Sequence, residues 1–333
     1  PRQCAMWRPE WAQEVEIEVG LLHSRFPAYR RQELEDLWVS RYGKDAQSER
    51  KGRILVGSQV LEQSLDIDAD LLITRLAPSD MLLQRMGRLW RHRSNDRYRP
   101  QGLEKTTLIL TPSIDAHFNP RNGFESSGLV YEPYVLQQTY KVWKDLTEIQ
   151  IPRDVPTILE QTYESVPETE MENQLKGELI RKKESLERLA LGGVVTASPT
   201  LSEQVLTRHA EVGTCPMLLV RALPAKGSTK WTLLDGSTID CSLVDNSSKR
   251  EIAKILMRNL IFAPIYSVPN VLSLSELAWI RPYYYIDEEE KSRLRIALLD
   301  RSGSIRGIRG DVANEEYDLT YTDHLGFRAA KRR

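Results

Sequence analysis

A chain of 333 residues exceeds one average domain, so two domains are expected, each able to bury a core. Its 41% hydrophobic content is near the globular norm, and no apolar run reaches the ~18 residues of a spanning helix, which excludes a helical membrane protein. With 46 Lys and Arg against 47 Asp and Glu, the net charge of −1 rules out whole-molecule attraction to nucleic acid, so only local charge can serve a polyanion.

The chain opens Pro1-Arg2-Gln3 without a methionine or signal peptide, as expected of a fragment whose start lies upstream. Val15, Ile17, Val19 and Leu21 stand at period two, the pattern of a strand, and Pro27 then opens a helix carrying Leu34, Leu37 and Trp38 before Gly43. The polar block from Lys44 to Gly52 reads as a loop. Arg53 to Gly57 and Leu71 to Leu76 are short apolar runs, as parallel strands covered on both faces would be. Pro78 and Ser79 begin an arginine-bearing helix, and Thr106 to Thr111 supplies another strand. Strands alternating with helices over residues 15 to 111 indicate an open α/β sheet. Ligands of such a sheet belong at the strands' carboxyl ends, where Ser24, Ser58 and the start of the arginine helix fall.

Beyond Pro112 the pattern changes. Tyr134 to Leu146 reads as a helix, and the stretch punctuated by Pro152, Pro156 and Pro167 reads as linker. Glu172 to Leu191 is a charged helix with apolar residues at Leu175, Leu179, Leu186 and Leu189, its charges read as solvated. From Gly192 strands dominate: Met217 to Leu223, Trp231 to Leu234 with a turn at Asp235-Gly236, Tyr283 to Ile286, Arg295 to Asp300 and Tyr317 to Tyr321, with a helix at Ser248 to Leu260. The expected segments are thus 1–115, a linker and helical region 116–191, and a small α+β module 192–333. Cys4, Cys215 and Cys241 are too few and too dispersed for a disulfide framework or zinc cluster, so a cytoplasmic protein is the default.

The most informative string is Q-R-M-G-R-L-W-R at 84 to 91. On a helix, Gln84, Arg88 and Arg91 stand at i, i+4 and i+7 and share one stripe. Two neighbouring guanidiniums repel by about 1 kcal/mol, so the arrangement makes sense if an anion such as a transferring phosphoryl group enters between them. A solvated basic helix face is the plain alternative. Around it, Arg85, Arg88, Arg91, Arg93, Arg97, Arg99 and Lys105 face only Asp96 and Glu104, a local excess able to hold phosphates.

The residues before this string favour the phosphate reading. An apolar strand at Ile54 to Val56 runs into Gly57-Ser58, an acidic turn with Asp66 and Asp68, and a second apolar strand. In this order the string resembles motif V of superfamily 2 helicases, and residues 84 to 91 resemble their motif VI, Q-x-x-G-R-x-x-R. More narrowly, L-L-H-S-R-F at 21 to 26, V-G-S-Q-V-L-E-Q-S-L-D-I-D-A-D-L-L-I-T at 56 to 74 and Q-R-M-G-R-L-W-R-H at 84 to 92 resemble the helicase-nuclease recruited by type I CRISPR-Cas surveillance complexes. The resemblance covers about residues 15 to 111. The remainder resembles that family's linker helix and C-terminal domain by length and order.

The resemblance implies a partial second RecA-like helicase lobe, a linker helix and a small α+β C-terminal domain that closes over single-stranded DNA. It implies ATP and Mg²⁺ as cofactors, and as partners a first helicase lobe, an HD nuclease domain and the surveillance complex, with no membrane. By the same resemblance Arg88 and Arg91 supply positive charge to the γ-phosphate, Gln84 positions polar groups beside them, and Asp66 accepts a hydrogen bond from the ribose. Ser24, Arg25, Ser58 and Gln59 are the candidates for contact with DNA phosphates. Ordinary turn chemistry is the alternative for the serines. No G-x-x-x-x-G-K-[ST], D-E-x-H-type string or H-D pair occurs, so the chain by itself is expected to be inert.

Other readings of the same residues are weaker. Asp66, Asp68 and Asp70 spell D-x-D-x-D, but Leu71 and Ala77 stand where a calcium loop needs glycine and glutamate. His23 and His92 are read as structural, and Trp143, Trp231 and Tyr283 to Tyr285 as core rather than base-stacking residues. Two further functions stay open: a non-catalytic module that docks to a surveillance complex or holds single strands, and another superfamily 2 translocase.

Overall fold

Val19 and Leu21 of the expected alternation lie in strand β1, Glu18–Leu22, in the computed structural model, which describes residues 17–62, 65–115, 118–192, 214–243 and 245–332. Of residues 48, 49 and 186–192 only the backbone is described, so Val15, Cys4, Leu186 and Leu189 lie outside what is described. Pro27, with φ fixed near −63°, caps helix α1, Ala28–Tyr42, and the chain returns as β2, Arg53–Gly57, after a 3₁₀ turn at Gln47–Arg50 inside the expected loop. β1 and β2 are parallel, in register from Glu18↔Arg53 to Leu22↔Gly57. The crossover helix packs through Trp38, 1% exposed, whose indole fills the space above Gly20: a Cβ there would lie 1.9 Å from the ring.

Two compact units divide the chain, and the first joins Pro1–Leu65 with Val212–Arg333. The expected segment 1–115 is therefore shared between units. In the first unit the central strand is β5, Thr214–Ala222. It is parallel to β9, Arg295–Leu299, and antiparallel to both β6, Lys230–Leu233, and β8, Leu260–Pro264. β7, Thr238–Asp240, and β10, Ile305–Gly307, close its edges. Period two divides the core: Cys215, Met217 and Leu219 enter one apolar cluster, while Leu218 and Val220 enter another. The first cluster takes Leu319, Tyr321 and Phe327 from the hairpin of β11, Tyr317–Thr322, and β12, Gly326–Lys331. The second takes Ile252 and Leu256 from helix α7, Asn246–Asn259, whose first turn is capped by the Asp245 carboxylate.

Tyr283 to Ile286 does not form the expected strand. The Tyr283 and Tyr284 amides both donate to Ile280 O, closing a turn, and the Tyr283 hydroxyl lies 2.8 Å from the carbonyls of Cys241 and Leu243. These long-range bonds have no trace in local alternation.

The second unit, Asp66–Glu211, holds another parallel pair: β3, Leu72–Arg75, and β4, Thr107–Leu110, joined through helix α2, Ser79–Met86. A short helical turn, α3 at Glu125–Gly128, leads to α4, Pro133–Trp143, where a helix was expected. The proline stretch taken as linker contains a further helix, α5, Val155–Tyr163, with Pro156 in its first turn, where a missing N–H costs nothing. Buried Ser79 ties these together: its hydroxyl accepts from the Trp143 indole at 2.9 Å and lies 2.6 Å from that of Thr162. Helix α6 spans Glu170–Gly192, and its charges are not all solvated. Glu172 is buried against Lys141 at 2.6 Å. Burial works to raise its carboxyl pKa, but the Lys141 ammonium and the Glu168 amide hold it below the usual range.

Filling the space above Gly20 tests the β1–α1 packing. Gly20→Ala should lower the chain's denaturant midpoint at unchanged slope, by about 1–3 kcal/mol of overpacking. A midpoint equal to the parent's would show that Trp38 can move aside.

Candidate functional site

At the carboxyl end of the β1–β2 pair, the Ser58 amide donates to Leu22 O at 3.2 Å, which brings the turns carrying Ser24 and Ser58 to the same strand ends. Both serines are exposed, and among the described residues neither hydroxyl has a hydrogen-bond partner. Arg25 and Gln59, half-buried, flank them. This turn is braced by the distant hairpin β11–β12: the Phe327 amide donates to Arg25 O at 3.0 Å, and Arg30 Nε donates to Asp323 O at 3.2 Å. Gly326 adopts φ +64°, and a Cβ there would lie 2.9 Å from the His23 ring.

His23 is structural, as expected. Its Nδ1 accepts the Arg25 amide at 3.0 Å, so Nε2 carries the proton that it donates to Leu325 O at 3.2 Å. Burial pushes its pKa down to about 4, against the opposing pull of the Leu325 carbonyl, so the ring is neutral at physiological pH.

In the second unit the arginine motif departs from its expected geometry. α2 ends at Met86, with the Gly87 amide bonded to Leu83 O, and the next two amides bond three residues back, Arg88 to Arg85 O and Leu89 to Met86 O. Gln84 is thus helical, whereas Arg88 and Arg91 lie beyond the helix, so no i, i+4, i+7 stripe exists. Pairing with the acidic turn replaces it. Ala69 N donates to Arg88 O at 2.8 Å, Trp90 N to Ala69 O at 3.0 Å, and Leu89 makes a parallel bridge to Ala69. Trp90 takes φ +50°, a costly conformation without glycine, held by its indole N–H on Asp70 O at 2.9 Å.

These bonds bring Asp66 and Arg91 together. Arg91 Nε lies 3.0 Å from Asp66 Oδ1, and His92 Nε2 lies 2.8 Å from the same oxygen. Gln84 and Arg91 are exposed and Arg88 is half-buried. Asp68 and Asp70 are not metal ligands in waiting: both are bonded to Arg99, Asp68 at 3.1 Å and Asp70 at 2.8 Å, and Arg99 Nε donates to Asp96 at 3.0 Å. Burial opposes the charge on Arg99, but these three carboxylates raise its pKa above the usual arginine value. Arg99, 8% exposed, is therefore no part of a phosphate-binding surface; nor does Arg85 stand open, donating to Thr74 and Tyr131.

Asp68, Asn95 and Arg99 as an internal lock went unrecognised in the sequence. Three acids at period two and a later run of arginines carried the signal, since alternate acids can turn inward to meet a cation. Of the aromatics, Trp143 and Tyr283 are buried, Trp231 stacks on Trp279 at 4.1 Å, and Tyr285 is exposed.

Comparison with known proteins agrees with the strings that define these turns. Residues 3–94 match the family described as CRISPR-associated nuclease/helicase Cas3, C-terminal. The chain is 40% identical over 146 residues to a CRISPR-associated endonuclease/helicase Cas3 of Thermus thermophilus, covering 44% of this chain and 15% of that protein. Against the Escherichia coli K12 protein of the same description it is 47% identical over 104 residues, 31% of this chain and 11% of that protein. It thus spans well under a fifth of the length of these relatives. The fold matches T. fusca Cas3 with AMPPNP at a TM-score of 0.67 and 22% identity, over 96% of this chain and 36% of that one. A chain of a CRISPR RNA-guided surveillance complex, pre-nicking, aligns at a TM-score of 0.65 and 22% identity, over 96% of this chain and 38% of that one. Among the described residues no helix is long and apolar enough to cross a membrane. Residues 3–94 of this chain are thus similar to the C-terminal portion of the Cas3 family of CRISPR-associated nuclease/helicases.

Proposed function

We propose that this chain provides one side of an ATP-dependent single-stranded-DNA translocase, the motor of a helicase-nuclease that acts in the cytoplasm in type I CRISPR-Cas interference. The observation that carries the reading is the laying of residues 88–91 on residues 68–70, which sets the exposed Arg91 guanidinium beside Asp66. Hydrolysis of ATP needs charge neutralisation around the γ-phosphate, and an inserted arginine is worth roughly 10³–10⁵ in rate. Arg91 and Arg88 supply that charge, Gln84 orients polar groups beside them, and Asp66 accepts from the ribose. The pairing of Asp66 with Arg91 gives the arginine a resting partner that nucleotide displaces.

The carboxylates on this segment do not fit a magnesium site, because Asp68 and Asp70 are committed to Arg99 and Asp66 to Arg91 and His92. Mg²⁺, which would neutralise phosphate charge when bound, is assigned to a first helicase lobe. Ser24, Arg25, Ser58 and Gln59 hold DNA phosphates at the carboxyl ends of β1 and β2, in a manner indifferent to base sequence. The surveillance complex is the proposed partner, supported by the solved relative found in one.

The chain alone, given single-stranded DNA, ATP and Mg²⁺, should not turn over; motor-like rates would sink the split-site reading. Joined to a first lobe it should hydrolyse ATP, and Arg88→Ala should reduce that turnover by about 10³-fold or more. Retained turnover removes Arg88 from its role. For DNA, Arg25→Ala should weaken binding by a similar factor on every oligonucleotide sequence and lower the salt slope by about 0.7. A loss confined to one sequence would contradict phosphate contact.

A further inference from the structure

The second unit spends a fully buried carboxylate on one backbone position. Asp68 is 0% exposed, and its two oxygens accept the Arg91 amide at 2.8 Å, the Asn95 side-chain amide at 2.8 Å and the Arg99 guanidinium at 3.1 Å. Asn95 is 1% exposed and lies, like Arg99, beyond the residues 3–94 matched by the Cas3 family. Arg99 also holds Asp70, whose carbonyl takes the Trp90 indole, and its guanidinium stacks 4.7 Å from the Trp90 ring centre. From this cluster Asp68 holds the Arg91 amide, Asp70 and Arg99 hold the Trp90 ring, and Arg99 also donates to His92 O at 3.3 Å. Apolar packing would fix a chain end at lower desolvation cost, but it would not fix the direction of one peptide N–H.

We infer that Asp68, Asn95 and Arg99 are positioning residues for Arg91, setting its guanidinium through its own peptide rather than meeting nucleotide themselves. The inference rests on the proposed role of Arg91 and adds to it. The left-handed Trp90 turns the chain just after Leu89 bridges to Ala69, Asp68 accepts the next N–H, and Arg99 with Asn95 holds the Asp68 carboxylate in place. Displacement of a phosphate-facing group by about 1 Å costs on the order of 10²-fold in rate, so loosening the lock is read in kcat.

The test is single-stranded-DNA-stimulated ATP turnover by the complete helicase-nuclease bearing Asn95→Ala, Arg99→Lys, Arg91→Ala, or Arg91→Ala with Asn95→Ala. Asn95→Ala and Arg99→Lys should lower kcat by about 10- to 100-fold, with KM for ATP moving less than about 3-fold. The double variant should be no slower than Arg91→Ala alone, because Asn95 acts only through Arg91. Asn95→Ala leaves the Asp68–Arg99 pair intact, so it decides the matter should Arg99→Lys fail to fold. Loss of turnover in Arg91→Ala, with parental kcat in Asn95→Ala, overturns the inference and leaves the arginine reading standing. Multiplying losses in the double variant likewise overturn it. Parental turnover in Arg91→Ala overturns the arginine reading and the inference with it.

Discussion

A carboxylate removed from solvent costs several kcal/mol unless its lone pairs are met, and the acidic turn of this protein is built around meeting those of Asp68. Arg99 brings the compensating charge, Asn95 a neutral donor, and the Arg91 amide a bond from the backbone. Because one donor is backbone, satisfying the charge also fixes the path of residues 88–91 against 68–70. α2 ends at Met86, and the lock directs the residues that follow it. The left-handed Trp90 fits the same account, since a strained residue persists only where its surroundings overdetermine it.

A comparable logic governs the strand ends of the first unit. Hydroxyl groups able to meet phosphate must be exposed, yet an exposed turn is mobile unless something holds its backbone. Here the brace comes from the chain's last strands: Phe327 donates to Arg25 O, and neutral His23 bridges from the Arg25 amide to Leu325 O. Gly326 is required at the contact because any Cβ would strike the His23 ring. The two serines proposed to meet phosphate stay exposed while backbone bonds carry the rigidity.

Local pattern foretold what local physics decides. The β1–α1–β2 and β3–α2–β4 crossovers, α4, α7 and strands such as β5 and β11 follow from periodicity and from Pro27 and Pro78 at helix starts. The expected stripe at Gln84, Arg88 and Arg91 failed because helix propensity through Leu89 and Trp90 lost to tertiary bonds from Ala69 and Asp68, some twenty residues away in sequence. Tyr283 to Ile286 failed for a like reason, alternation without a partner strand. Pro156 misled in the opposite sense, a residue read as a linker mark that serves as a helix start. Residues 66, 84, 88 and 91 were named through their motifs, and of these the structure pairs Asp66 with Arg91; the lock beneath them was not legible, because alternate acids and a later run of arginines do not say which arginine meets which acid.

Magnitude decides which arginine can meet a phosphate. Taking Arg99 from its site would break pairs with three carboxylates, one of them wholly buried, and leaving such a charge uncompensated costs about 3–5 kcal/mol. Arg91 and Asp66 form an exposed pair, with side chains 38% and 50% accessible, and pairs of that kind contribute about 0–1 kcal/mol. A triphosphate carries more charge than one carboxylate and can offer two oxygens to the fork, so in the role proposed for Arg91 it would displace Asp66 from Arg91 but not the buried acids from Arg99. The same sequence excess of basic residues therefore separates into a buried scaffold, with Arg99 in it, and exposed groups such as Arg91 that are proposed to bind phosphate. The cost of removing each arginine from the partner it already has, rather than its residue type, draws that line.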